Sequence, residues 1–248
     1  MLEIKRLCVA VGHKTILSDL SMTLEPNALT VLIGKNGCGK STLVSCIGGM
    51  RRHTGALLSD SQDLHSLSPR KRAQRIAILP QILQSPHMTV EELVRLGRTP
   101  HLTLGQRFGD KDTAAVESAI HATVLDSLRT QYLDILSGGE RQKAYLAMIL
   151  AQNAPLLVLD EPTTYMDVSV AHHFMALLRT LMEQQKKTVL AVMHDLNCAL
   201  RFADRVAVMD AGHIAFHGTT AEVLATDIIE RTFSVTRHEV DGRCFFEG

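Results

Sequence analysis

The chain alternates short apolar runs with longer amphipathic stretches. Leu20, Met22 and Leu24 place apolar side chains at every second position, the period of a half-buried strand. Glu25-Pro26-Asn27 reads as a turn, and Leu29 to Ile33 is a short apolar run of buried-strand type. A glycine-rich loop follows, with a helical pattern from about Lys40. Ile76 to Leu79, Leu156 to Leu159, Thr188 to Met193 and Val206 to Met209 are strand-like again, with helical patterns between them. This alternation predicts an α/β fold with a mostly parallel sheet core and crossover helices. Between about residues 82 and 140 the strand signal disappears. Helical candidates near 89 to 97 and 111 to 129 flank the Gly/Pro/Arg-containing stretch 97 to 109, so this block reads as a helical insertion in the core. No internal repeat, low-complexity tract or linker is seen.

Composition narrows the class. A chain of 248 residues, 46% hydrophobic and 4% aromatic, corresponds to one or two domains and can bury roughly 70 to 75% of its unfolded surface. Its 26 Lys and Arg balance 26 Asp and Glu, which gives no electrostatic reason for nonspecific binding to nucleic acid or bare anionic lipid. Cys8, Cys38, Cys46, Cys198 and Cys244 are scattered and never spaced as CxxC, as expected of reduced thiols in a cytosolic protein. Met1 to Arg6 mixes charged and apolar residues where an export signal has a 7 to 15 residue apolar stretch. The longest apolar run, Ala144 to Ala151, has eight residues, against roughly 18 for a membrane span. If the protein works at a membrane, another chain does the spanning.

Gly34, Lys35, Asn36, Gly37, Cys38, Gly39, Lys40 and Ser41, with Thr42 next, fit the pattern GxxxxGK[ST] between a buried strand and a helix start. Glycines let backbone N–H groups curl around an anion, and the helix N-terminus adds partial positive charge. Lys40 would reach the β- and γ-phosphates of ATP and the Ser41 hydroxyl would bind Mg²⁺. The plainer alternative is a glycine-rich turn. A second station is Leu156-Leu157-Val158-Leu159-Asp160-Glu161, an apolar run ending in two carboxylates, and ligands in open α/β sheets bind at such strand ends. Asp160 would hold Mg²⁺ directly or through water, with Glu161 as general base toward the attacking water. Alone, this segment reads equally as a strand entering an acidic loop.

Leu136-Ser137-Gly138-Gly139-Glu140-Arg141-Gln142, followed by Pro155 and the Asp160-Glu161 pair, resembles the signature of ATP-binding-cassette (ABC) ATPases. The resemblance covers essentially the whole chain and implies a P-loop NTPase of ABC-ATPase type. Its core would comprise residues 1 to 81 and 141 to 248, with an N-terminal antiparallel β subdomain and a helical subdomain over about 82 to 140. It also implies that Ser137, Gly138 and Gly139 of one subunit cover the γ-phosphate held by the other. Gln81 matches the Q-loop glutamine that senses Mg²⁺ and the attacking water, Asp167 the D-loop aspartate, and His194 the switch histidine on the γ-phosphate. Taken singly, these are also an exposed Gln, a helix-capping Asp and a satisfied His. Ser137 with Glu140 also fits a helix capping box, which is compatible with the signature role.

Two positions depart from the family pattern, and a third carries a candidate reactive group. Val11 stands where an aromatic ring usually stacks on adenine, and it lacks a π face. Asn27 replaces a turn glycine, a residue type that tolerates positive φ. Cys38 lies beside Lys40 and a helix N-terminus, conditions that lower a thiol pKa.

Within the family the chain is most similar to ATPase subunits of bacterial importers for ferric siderophores, ferric citrate, haem and vitamin B12. The residues carrying this are Gly97-Arg98-Thr99-Pro100-His101, Ala147-Met148 to Ala151-Gln152-Asn153, Glu161-Pro162-Thr163-Thr164, and His194-Asp195-Leu196-Asn197 followed by Ala199 to Asp204; Leu150 to Thr164 looks most like the ferric citrate type. The resemblance implies a homodimer at the cytoplasmic face of the inner membrane. Two membrane-spanning permease subunits would dock around residues 83 to 107, a periplasmic substrate-binding protein would take part indirectly, and nucleic acid would not. The alternative is a soluble ABC ATPase acting on DNA or the ribosome, which needs a long coiled-coil insertion or tandem cassettes. Arg70-Lys71-Arg72 with Arg75 alone favours nucleic acid, and after Ser68-Pro69 it reads as a solvated helix face.

Overall fold

The computed structural model describes every residue except Leu104, Gln106, Tyr165, Asp241, Gly242 and Gly248. The chain divides into two compact units, Met1–Ser66 with Thr188–Gly248, and Leu67–Lys187.

The first unit opens with β1 (Leu2–Val11), β2 (Lys14–Leu24), β3 (Leu29–Gly34), α1 (Lys40–Ile47), β4 (Thr54–Ser59) and β5 (Gln62–Asp63). Strands β2, β1, β4 and β5 form an antiparallel sheet in that order. One face is covered, so Leu2, Ile4, Leu7 and Val9 of β1 are buried while much of the other face is exposed. Asn27 turns the chain into β3 at φ 55° and donates its backbone N–H to Thr188 Oγ1. The positive φ expected of that turn is present.

The second unit runs through α2 (Pro69–Ala73), β6 (Ile76–Leu79), α3 (Val90–Leu96), α4 (Asp110–Ala122), α5 (Gly138–Ala151), β7 (Leu156–Asp160) and α6 (Val168–Gln185). β6 and β7 are parallel. Between them the described residues form only helices, turns and one isolated bridge, Thr89 to Tyr132. α3 begins in a capping box of Thr89 with Glu92. α4 ends at Ala122, short of the helix expected to 129, because Thr123 Oγ1 donates to Ala119 O and Ile120 O and Val124 enters the left-handed region at φ 58°.

The Gly97 to His101 segment ties these helices together. A Cβ on Gly97 would stand 2.1 Å from Met148 O, so only glycine lets α3 approach α5 this closely. Arg98 donates Nε to Asp112 Oδ1 at 3.0 Å and Nη1 to Ala151 O at 2.7 Å, closing the C-terminal end of α5. His101 Nε2 lies 2.8 Å from Gln152 O. Arg70 donates to the carbonyls of Pro100 and His101, so the basic cluster of α2 serves packing at this residue.

The chain returns to the first unit with β8 (Thr188–Val192), α7 (Leu196–Phe202), β9 (Arg205–Asp210), β10 (His213–Thr219), α8 (Thr220–Leu224), α9 (Ile228–Phe233), β11 (Thr236–Val240) and β12 (Arg243–Glu247). β3 lies between β8 and β9, parallel to both, and β10 pairs antiparallel with β9. β3 and β8 are buried at every position, which is why their sequences are apolar runs without alternation. Fully burying each Leu, Ile or Val there contributes about 1.5 to 3 kcal/mol. No helix among the described residues is long and apolar enough to cross a membrane.

Candidate functional site

The loop after β3 has the geometry of a phosphate cradle. Gly34 sits so close to β9 that a Cβ would meet Met209 O at 2.4 Å. Gly37 has φ 79° with open space where a side chain would be. Gly39 is the N-cap of α1 at φ 114°, with no side chain capping the helix, and a Cβ there would lie 2.6 Å from Leu17 Cδ2. The first four N–H groups of a helix have no partner within it, so α1 presents donors and the positive end of its dipole to the loop. Lys40 is 5% exposed, and its ammonium donates to Gly34 O at 2.6 Å and Lys35 O at 3.2 Å. Its charge is balanced by two loop carbonyls, acceptors that a phosphate oxygen can replace. Lys35, Asn36 and Ser41 are exposed and Thr42 is half-buried.

Cys38 behaves differently from the expectation of a lowered thiol pKa. It is 7% exposed, and burial pushes the thiol above its ordinary value despite the opposing charge of Lys40. Desolvation of the thiolate outweighs the nearby cation. Val11, at the end of β1, is 53% exposed and paired with Lys14 across the Gly12-His13 turn. His194 is exposed two residues beyond buried β8, after buried Met193, and the next residue, Asp195, caps α7 by accepting from Cys198 N at 3.0 Å.

In the second unit β7 delivers Asp160 and Glu161, both largely buried, to the carboxyl end of the sheet pair β6 and β7. Glu161 adopts φ 53°, in the left-handed region, which turns it out of the strand. Its Oε2 accepts from Gln81 Nε2 at 2.5 Å and Thr164 Oγ1 at 3.1 Å. The structure therefore brings Gln81, at the end of β6, directly onto the carboxylate expected to be the base. Thr164 was not singled out for a role, although it ends the Glu161-Pro162-Thr163-Thr164 run.

Ser137 is the N-cap of α5. Its backbone N–H and hydroxyl both donate to Glu140 Oε2, at 2.9 and 2.6 Å, while its Oγ accepts from Glu140 N at 3.3 Å. These bonds hold the Glu140 carboxyl below its ordinary pKa. Gly138 and Gly139 form the first turn, and a Cβ on Gly139 would lie 2.9 Å from Val170 Cγ1 of α6. Asp167 caps α6 by accepting from Val170 N at 2.8 Å; its neighbour Tyr165 lies outside the described residues. Further along α5, Tyr145 OH donates to Gln84 O at 2.8 Å and Arg141 donates to Ser85 Oγ. The chain beyond Gln81 is thereby fastened to the signature helix, and Gln81, Ile82, Gly138, Gln142 and Thr164 line a cavity of about 370 Å³.

The chain is similar to known proteins in sequence and in fold. Residues 17–164 match the family described as ABC transporter. The chain is 37% identical over 236 residues to the iron(3+)-hydroxamate import ATP-binding protein FhuC of Bacillus subtilis (strain 168), covering 94% of this chain and 88% of that one. It is 36% identical over 233 residues to the ferric enterobactin transport ATP-binding protein FepC of Escherichia coli (strain K12), covering 93% and 86%. Among solved structures it is similar to a dimeric ATP-binding cassette in a post-hydrolysis state with ADP and Pi, at TM-score 0.76 and 25% identity over 89% of this chain and 99% of that one. With a phosphate loop, a signature helix and an acidic strand end carried in this order on an α/β fold, the chain belongs to the ABC transporter family as an ATP-binding ATPase.

Proposed function

We propose that this cassette powers import of an iron chelate, a ferric siderophore or ferric citrate, through a membrane-spanning permease. The observation that carries the reading is the similarity to FhuC and FepC over more than nine-tenths of the chain. Two copies close head to tail on two ATP molecules, a reading supported by the dimeric cassette to which the fold is similar. In each site Lys40 and the N–H groups of the loop through Thr42 bind the β- and γ-phosphates, and Val11 packs on the base. Ser137, Gly138 and Gly139 come from the second copy, with Asp167 at the interface between copies. Ser41 and Asp160 would hold Mg²⁺ through a hydroxyl and a carboxylate, the hard oxygen donors that suit it, and Gln81 would be a further ligand. Such an ion, when bound, would neutralise charge on the phosphate oxygens. Glu161 takes the proton of the attacking water, and His194 contacts the γ-phosphate.

The chemistry requires a rearrangement first. Glu161 Oε2 already accepts from Gln81 and Thr164, so Gln81 leaves the carboxylate as nucleotide closes the site. That motion passes along residues 82 to 85 into α5 and the helical block over about 82 to 140, the inserted subdomain of the cassette. There, around residues 83 to 107, the permease docks at the cytoplasmic face of the inner membrane; Leu104 and Gln106 of this stretch lie outside the described residues. A substrate-binding protein delivers the chelate from the far side.

The test is Glu161→Gln in proteoliposomes carrying permease and binding protein, with uptake of radioiron chelates and phosphate release measured together. We expect turnover to fall about 10²- to 10⁴-fold, the usual contribution of a general base, while Mg-ATP still binds. Hydrolysis at the wild-type rate in the variant overturns the assignment of the base. Brisk hydrolysis by the wild type without movement of any iron chelate overturns the transported class.

A further inference from the structure

Asn197 ends the His194-Asp195-Leu196-Asn197 run, and ATP chemistry gives it no task. Its side chain is turned to the last strand. Nδ2 donates to Phe246 O at 3.3 Å and Oδ1 accepts from Phe246 N at 3.0 Å. One amide side chain thus takes the place of a neighbouring strand, satisfying both backbone groups of a residue in β12. The Phe246 ring is buried, whereas that of Phe245 is exposed.

The hairpin needs such anchors. Among the described residues β11 and β12 pair only with each other, and an isolated two-stranded hairpin is marginal in water. β11 is held toward α8 and α9, where Arg237 pairs with Glu230 at 3.0 Å and donates to Leu224 O. β12 is held to α7 through Asn197. The dependence runs the other way as well. α7 has seven residues, too few to persist on helix propensity alone, and its first turn carries both the Asp195 cap and the Asn197 clamp. Only Met193, whose N–H donates to Leu32 O at 3.1 Å, and His194 lie between the end of fully buried β8 and that cap, so the His194 backbone is held by the Met193 bond on one side and by α7 on the other.

We propose that Asn197 is a positioning residue for hydrolysis: by clamping the C-terminal hairpin to α7 it fixes the direction in which His194 presents its imidazole. The inference rests on the reading of His194 as the γ-phosphate contact. The experiment is a double-mutant cycle of His194→Ala and Asn197→Ala in the full chain assembled with its permease. Steady-state ATPase is recorded together with hydrogen exchange over residues 193 to 199. We expect Asn197→Ala to lower kcat about 5-fold with KM for ATP little changed, and to have no further effect once His194 is alanine, the mark of coupled residues. Exchange over 193 to 199 rises in Asn197→Ala. Asn197→Asp, which keeps the acceptor for Phe246 N, gives a smaller loss and serves if the alanine variant unfolds. Wild-type exchange in Asn197→Ala overturns the clamp. An equal fold-loss in both His194 backgrounds overturns its action through His194. Wild-type turnover in His194→Ala is the separate result that fells the reading of the histidine itself.

Discussion

Two helices begin on glycine-containing turns that the proposed function places at ATP, and they begin differently. α1 starts from Gly39, at φ 114° and without any side-chain cap. α5 starts from Ser137, whose hydroxyl and backbone N–H are both committed to Glu140. Every helix start leaves N–H donors to satisfy. α1 has no side chain that meets that demand, which on the proposed function leaves it to a phosphate. α5 meets part of it internally, and the Ser137 hydroxyl has to swing from Glu140 before it can donate to a phosphate. The same dipole is held ready in one place and held back in the other, and the identity of the N-cap residue makes the difference.

Substitution can break this contrast. Gly39→Ser supplies the missing hydroxyl but forces a side chain onto φ 114°, which costs roughly 1 to 3 kcal/mol, and into Leu17 Cδ2 and Ile16 O. Calorimetric titration with Mg-ATP is expected to show affinity reduced about 100-fold or more, roughly 3 kcal/mol; retained affinity would mean that a bare helix start is not what holds the phosphates. Ser137→Ala, in the opposite sense, strips the cap from α5. It should lower stability in urea by about 1 kcal/mol and leave ATP binding to the single subunit intact, while turnover of the assembled transporter drops roughly 10-fold, the loss of one hydrogen bond of about 1.5 kcal/mol to a charged phosphate. Undiminished turnover would make Ser137 a cap and nothing more.

The smallest effect is set by pH. Hydrogen bonds from Ser137 hold the Glu140 carboxyl below its ordinary value. A depressed carboxyl stabilises the fold above its unfolded pKa, about 4.3, and that contribution is lost as pH falls through the folded value. α1 has no acidic residue in its first turn. Protection factors on acidification should therefore fall at the start of α5 and hold at the start of α1.

What the sequence disclosed follows the same physics. The strands buried on both faces are legible as apolar runs, and the phosphate loop is legible because its glycines have separate steric reasons. The hairpin of β9 and β10 was hidden: Ala211 and Gly212 both take positive φ at its turn, and Ala-Gly is not the Asn-Gly or Asp-Gly that announces such a turn. β11 and β12 were missed although Asp241-Gly242, outside the described residues, is that very signal in the sequence. The Cys38 expectation failed because proximity to Lys40 can be read from spacing, whereas the burial that outweighs it cannot. Gly97 to His101 was visible as a family mark, but its bonds to Ala151 and Gln152 join segments some fifty positions apart, beyond the reach of any local pattern.

The left-handed backbone of Glu161 sets two selective pressures against each other at one codon. A side chain held at positive φ costs of order 1 kcal/mol or more that glycine would not, so a library sorted for folded protein alone should enrich glycine at position 161, and one sorted for iron-dependent growth should purge it. With Glu161 as the proposed base, the residue at this position is kept by turnover and opposed by folding. Divergence between the two sorts would measure how much stability this lineage forgoes to aim one carboxylate.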